Sequence, residues 1–366
     1  MKYINYDWIK PLYYGSTFLG VGGGGKTNNI LLLCEETFSK GLRLPLLETK
    51  SLNSEENYAA VGLIGSPEVI DDFYCTGHEA LEALKALELE TGSKIQGLFT
   101  LEGAGVNVLY PILVASILQI PFIDGDTMGR AFPELQMTTL HLNKQPLIPF
   151  ILANTSQKIY HYSDLDNFLL DLNIRQDLSD FNNIGFFASS PLKGGPLKRM
   201  LIPHTISFAY DIGNVFMGFS TYEDILNNLI HTTKNSIYGA SIELFSGKIE
   251  KVDHVIHKDW HSIHLKGIKH NKGESFQILT QNENLIAYKN NALAAMVPDL
   301  ISLINLDTLL PISNNDLSTG MQVAVIGTPA PLVWKTSDGL NIVGPKCFGY
   351  KSEYESLEAL YFSYYY

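Results

Sequence analysis

Pro121-Phe-Ile-Asp-Gly-Asp-Thr-Met-Gly-Arg-Ala-Phe-Pro-Glu-Leu-Gln-Met137 sets three carboxylates (Asp124, Asp126 and Glu134) and one arginine (Arg130) directly behind a short apolar run. Phe122-Ile123 reads as the end of a buried strand, and Gly125 allows a sharp turn after it. Asp124 and Asp126 then fall at the carboxyl end of that strand, where open α/β sheets place their ligand crevices. Three acids around one arginine are costly to bury without partners. A loop built for solvent would not carry Met128, Phe132, Leu135 and Met137. The stretch therefore reads as the lining of a cleft. The alternative is a loop held by Arg130 pairing with Glu134 or Asp126.

Working outward, Ile95–Leu101 is a strand that ends in Glu102-Gly-Ala-Gly-Val-Asn107, again a carboxylate and two glycines at a strand's end. Val108–Leu118 reads as a helix and Gln119–Ile123 as the next strand. Strand, loop, helix and strand make a βαβ unit, whose crossover is right-handed in a parallel sheet. Glu102 and Asp124 are then expected on neighbouring strands at one edge of the sheet. Residues 58–65 add a buried strand, Gly77–Thr91 an amphipathic helix and Leu147–Leu152 a further strand. These elements predict an N-terminal three-layer α/β domain with a mainly parallel sheet over residues 1–168.

The remainder, 169–366, changes character. Pro191-Leu-Lys-Gly-Gly-Pro196 reads as a glycine-proline loop, followed by helices over His204–Phe216, capped by Thr205 or Ser207, and Thr221–His231. After residue 240 short strands follow one another, which predicts a mostly-β, sandwich or barrel-like domain. Histidines 254, 257, 261 and 264 alternate along strands instead of converging, so they read as surface positions and not as a zinc site.

Near the start, residues 6–19 read as a helix and Asn28–Lys40 as another. Between them Gly20-Val-Gly-Gly-Gly-Gly-Lys-Thr27 satisfies the spacing of a phosphate-binding P-loop, with Lys26 and Thr27 in the phosphate and magnesium positions. A P-loop follows a buried strand, however, and Tyr13–Leu19 is a poor one. Gly22, Gly23, Gly24 and Gly25 alternatively offer unshielded N–H donors to an anionic or carbonyl-bearing ligand.

Composition narrows the partners. A formal charge of −12 opposes sequence-independent binding to nucleic acid or to an anionic membrane. No basic or apolar leader and no span-length apolar run is read, and the three widely spaced cysteines are expected to be buried thiols of a cytoplasmic protein. With hydrophobic residues at 45%, the chain can order two cores.

The run D-G-D-x-M-G-R-A-F-P-E-L-Q-M at Asp124–Met137 resembles the signature of the S-methyl thiohydantoin desulfurase-like family. Further matching blocks are Leu19-Gly20 with Gly22–Gly25, Gly65-Ser-Pro67, Glu102-Gly-Ala-Gly with Asn107, Thr205 with Ser207, Gln281-Asn-Glu-Asn284, Val297-Pro-Asp-Leu-Ile301, Gly320 with Val323–Ile326, and Gly344–Tyr350. Lys26-Thr27 and Asp71-Asp72-Phe73 depart from the family pattern. The resemblance implies an α/β domain followed by a mostly-β one. It also implies hydrolysis of an S-methylated thiohydantoin to a hydantoin with loss of methanethiol. Asp124, Asp126 and Glu102 would form the acidic centre that activates water, alone or with a divalent ion such as zinc on Asp124 and Asp126. Asn107, Arg130 and Glu134 would position the small-molecule substrate, and the Gly22–Gly25 amides its carbonyl side. The alternatives are a non-catalytic subunit or ligand-binding partner of a hydantoinase-type enzyme and a P-loop nucleotide hydrolase; the protein partner expected is a second copy of the chain, as a homo-oligomer, or a hydantoinase-type enzyme.

Overall fold

The computed structural model describes residues 2–24, 28–65, 75–154, 156, 158–181, 183–254 and 260–365. Gly25, Lys26, Thr27, Ser66, Pro67, Asp71, Asp72, Phe73 and His257 lie outside these residues. The chain divides into two compact units. The first comprises residues 1–16, 25–129 and 134–210, and the second 17–24, 130–133 and 211–366.

The first unit is a mixed α/β sheet of nine strands: β1 (Lys2–Ile4), β2 (Leu44–Glu48), β3 (Asn57–Gly65), β4 (Ile95–Phe99), β5 (Phe122–Asp126), β6 (Phe150–Ala153), β7 (Ile159–Tyr162), β8 (Ile184–Lys193) and β9 (Ile202–Pro203). Its order is β1-β2-β5-β4-β3-β8-β6-β7, with β9 added to β5. The middle, β2-β5-β4-β3, is parallel, and antiparallel strands extend it on both sides. The expected βαβ unit is present as β4, the helix Val106–Leu118 and β5. That helix is buried on nearly every face, which explains why its sequence is apolar throughout instead of striped.

Pro191 lies in a strand and not in the expected loop. Between the pairs Ala60↔Ser189 and Tyr58↔Leu192 the register of β8 against β3 shifts, and this irregularity accommodates a residue with no N–H to give. Gly194 then opens the helix Gly194–Met200, where a Cβ would collide with the carbonyl of Asn53. β8 lies between β3 and β6, and the first compact unit includes residues 169–210.

The second unit is an antiparallel sheet of β10 (Ile242–His254), β11 (Trp260–Gly267), β12 (Ser275–Gln281), β13 (Glu283–Lys289), β14 (Ala292–Met296), β15 (Leu300–Asn305), β16 (Pro311–Ile312) and β17 (Gln322–Thr328). Its order is β14-β13-β12-β11-β10-β17-β15-β16. β13 also packs against β15, and the unit is the mostly-β domain expected. Phe245, Ile263, Phe276, Ile278, Leu303 and Val325 fill the inside. His261 and His264 lie on β11, and His264 bonds Ser262 and Asp253. The tyrosine-rich end forms the helix Leu357–Tyr365. Cys34 and Cys75 are buried as expected, whereas Cys347 is exposed, on the short helical turn Pro345–Phe348. No helix among the described residues is long and apolar enough to cross a membrane.

Candidate active site

β5 does not end at Ile123. It continues through Asp126, so Asp124 and Asp126, two residues apart on one strand, present to the same face. Gly125 is therefore a strand residue. Its missing side chain admits the Thr49 methyl and the carbonyl of Ile202, where a Cβ would sit 2.8 and 2.9 Å away. The turn itself falls at Gly129, with φ of 74°.

Asp126 is fully buried and joins the two acid-bearing turns. Its Oδ2 accepts the N–H of Gly103 at 2.5 Å, and both of its oxygens lie 3.0 Å from the N–H of Gly129. Thr127 closes the same junction, donating its N–H (3.0 Å) and hydroxyl (2.6 Å) to the carbonyl of Leu101. Gly103 has to be glycine, because a Cβ there would strike the Asp126 carboxylate. Burial pushes the Asp126 carboxyl up to about 7, against the opposing pull of the Gly129, Gly103 and Met128 N–H groups. The buried Thr205 hydroxyl adds to that pull without reaching hydrogen-bonding geometry.

Glu102 stands on the Gly103 turn, half-buried. Its Oε2 accepts the Asn107 amide at 2.9 Å. Asn107 is itself fixed to β3: its Oδ1 accepts the N–H of Leu63 at 2.9 Å, and its amide donates to the carbonyl of Leu63 at 3.2 Å. The turn that bears Glu102 is thereby tied to β5 through Asp126, while its carboxylate is tied to β3 through Asn107.

Asp124 is also fully buried, and it faces the first turn of the helix Thr205–Gly218. Its Oδ1 accepts the Ser207 N–H at 2.8 Å and its Oδ2 the Ser207 hydroxyl at 2.6 Å, so a carboxylate distant in sequence caps the positive end of this helix. The Lys2 ammonium donates to the Ser207 oxygen at 3.2 Å. Nδ1 of His204 lies 3.2 Å from the Asp124 Oδ2, and the His204 N–H donates to the Asp124 carbonyl at 2.9 Å. The short strand β9 brings His204 there by pairing Pro203 with Gly125. None of this was legible in the spacing, since His204 looked like a residue preceding a helix cap.

The other expected site residues have different surroundings. Glu134 is partly buried, bonds Gln136 and lies near Asp171 and Arg175; burial raises its pKa. Gly22, Gly23, Gly24 and Arg130 belong to the second unit. There the glycine segment is bound by the N–H groups of Asn284 and Asn314, which donate to the carbonyls of Val21 and Gly22 at 2.8 Å each. A Cβ on Gly22 would collide with the Asn314 amide, and one on Gly23 with the Glu283 carboxylate. The Gly23 N–H donates back to the Gly20 carbonyl at 2.8 Å. Residues Tyr6–Leu19 are helical, so a helix and not a strand leads directly into these glycines, unlike a P-loop. Arg130 is fully buried over the Phe132 ring and donates to the carbonyls of Ala131, Pro298, Asp299 and Asn284.

A divalent ion on Asp124 and Asp126 does not fit this donor set. Their oxygens face N–H and O–H donors, and a cation would have to displace those hydrogens. Among the described residues no three His, Cys, Asp or Glu side chains group as metal ligands. In the second unit a cavity of about 360 Å³ is lined by Glu243, His270 and Lys289 together with Leu244, Leu357 and Leu360.

Comparison with known families decides what this arrangement belongs to. A model of the S-Me-THD-like N-terminal domain matches residues 7–163, and one of the C-terminal domain matches residues 165–357. The chain belongs to the S-Me-THD-like family. The resemblance carried by Asp124–Met137 thus extends over both halves. A crystal structure of a protein from Chromobacterium violaceum is similar to this chain with a TM-score of 0.83, covering 98% of this chain and 100% of that one at 22% identity. That likeness concerns the fold. No curated protein matches.

Proposed function

We propose that this member of the S-Me-THD-like family is a hydrolase of five-membered cyclic amides of the thiohydantoin type, cleaving C–S or C–N with water activated at the carboxylate centre of the first unit. The observation that carries the reading is the junction made by Asp126. It fastens the Glu102 turn to the strand bearing Asp124, at the carboxyl end of the parallel strands.

Hydrolysis at a ring carbon between nitrogen and sulfur needs a base for water and a proton source for the departing or ring atom. Asp126 is enclosed, so its part is to hold the two turns in register. Glu102 is partly exposed and aimed by Asn107, and its carboxylate accepts a hydrogen bond from the ring N–H. Asp124 supplies fixed negative charge behind the nucleophile, balanced by the helix N-terminus. In this reading Arg130 and Gly22–Gly24 hold the backbone of the second unit, and Glu134 steadies the segment that follows.

Purified protein incubated with S-methyl thiohydantoins, with thiol release followed by a thiol-reactive dye and the hydantoin by mass spectrometry, tests the reading. Turnover by the wild type and its loss in Asp124→Asn with the fold retained are expected. No thiol or ring-opened product from any such substrate would overturn it. Release only after a hydantoinase-type enzyme is added would assign the chain to a partner role.

A further inference from the structure

His204 combines features that a helix-capping residue does not need. Its side chain is about half exposed, while the carboxylate it meets is 1% exposed. Its φ is 64°, a left-handed conformation that is strained for a residue with a side chain and that gathers at functional sites. The backbone is locked there from both sides: the His204 N–H donates to the Asp124 carbonyl, and the His204 carbonyl accepts the Phe208 N–H at 2.8 Å. Nδ1 faces a carboxylate that has no hydrogen to give, because Asp124 already accepts two donors from Ser207. A proton on Nδ1 is what this contact calls for, and that tautomer leaves the lone pair on Nε2. The charged groups around this pair are Asp124, Lys2 through Ser207, and Glu48, which stands opposite Asp124 on β2 and is ion-paired with Lys50 at 2.8 Å.

We propose that His204 is the general base of the hydrolytic reaction, with Asp124 as the positioning residue that fixes its tautomer. This rests on the function proposed above. As water's oxygen bonds the ring carbon, one water proton passes to Nε2 and then to the ring nitrogen, which takes the electron pair of the C=N bond. The remaining O–H proton returns to Nε2 as the carbonyl forms and the C–S bond breaks, and it leaves on the thiolate as methanethiol. Water supplies both hydrogens, and the imidazole ends as it began.

The test uses the full chain with an S-methyl thiohydantoin. His204→Asn keeps a residue tolerant of positive φ and able to donate to Asp124. The expected result is a fall in kcat of about 100-fold or more with KM within about threefold, typical of a lost general base. His204→Gly, which also fits the backbone, should regain activity on addition of imidazole, an effect that a purely structural role would not show. Retention of more than about a tenth of kcat in both variants would overturn the proposal. If the wild type releases no thiol, the functional reading fails and ¹⁵N NMR of the imidazole decides the pair: an Nδ1–H tautomer that is lost in Asp124→Asn supports it, and an Nε2–H tautomer in the wild type overturns it.

Discussion

Replacing Asp126 with Asn should flatten the pH dependence of stability in a defined window. In the folded protein burial holds this carboxyl near 7, against an ordinary value of 3.8. Between these values the folded chain binds a proton that the unfolded chain has released, so stability falls as pH rises through this interval and levels off above 7. Each unit corresponds to ~1.36 kcal/mol, which gives ~4 kcal/mol over the whole interval and ~2.7 kcal/mol from pH 5 to pH 7. Asn cannot titrate. Its amide would face the N–H of Gly129 or Gly103, a clash of donors worth ~1–3 kcal/mol, and that offset is the same at every pH. Urea denaturation of both proteins at pH 5, 6, 7 and 8 measures the difference. The account predicts that the wild type loses ~2–3 kcal/mol more than Asp126→Asn across this range. Two curves that run parallel throughout would refute the claim that desolvation dominates at Asp126.

Two further changes test the second unit. Gly23→Ala drives a methyl into the buried Glu283 carboxylate and should cost ~1–3 kcal/mol in urea unfolding; an unchanged midpoint would show that the loop does not need its close approach. Arg130→Lys removes the fork that serves four backbone carbonyls and should destabilise by ~3 kcal/mol, with KM for any thiohydantoin substrate unchanged. A rise in KM at unchanged stability would instead make Arg130 a substrate anchor.

Much of the fold was legible because it rests on local patterns. The apolar run at β5, the helix Val106–Leu118 and the strands after residue 240 each carry a period or a composition that fixes their type. That the Glu102 turn follows the strand next to the one bearing Asp124 was expected from chain order alone. What escaped depended on distant partners. Gly125 looks like a turn residue until β9 and Thr49 are packed against it, and Pro191 looks like a loop until the irregular register of β8 is known. The glycine run suggests an anion cradle, yet Gly22 and Gly23 make room for Asn314 and Glu283, some 260 to 290 residues further along the chain. Arg130 was read as a substrate anchor, with pairing to Glu134 or Asp126 as the alternative; it donates to backbone carbonyls, which leave no mark in a sequence. His204 was hidden most deeply. Its partner lies 80 residues away and is brought to it by a two-residue strand too short to show a pattern; the only signal was Thr205 and Ser207 standing together after it.

The most direct measurement is a crystal structure of the protein soaked with a hydantoin product. The account predicts the ring within hydrogen-bonding distance of Nε2 of His204 and of the Glu102 carboxylate. A ring bound elsewhere, such as in the cavity beside Glu243 and Lys289, with the Asp124 face unvisited, would contradict it.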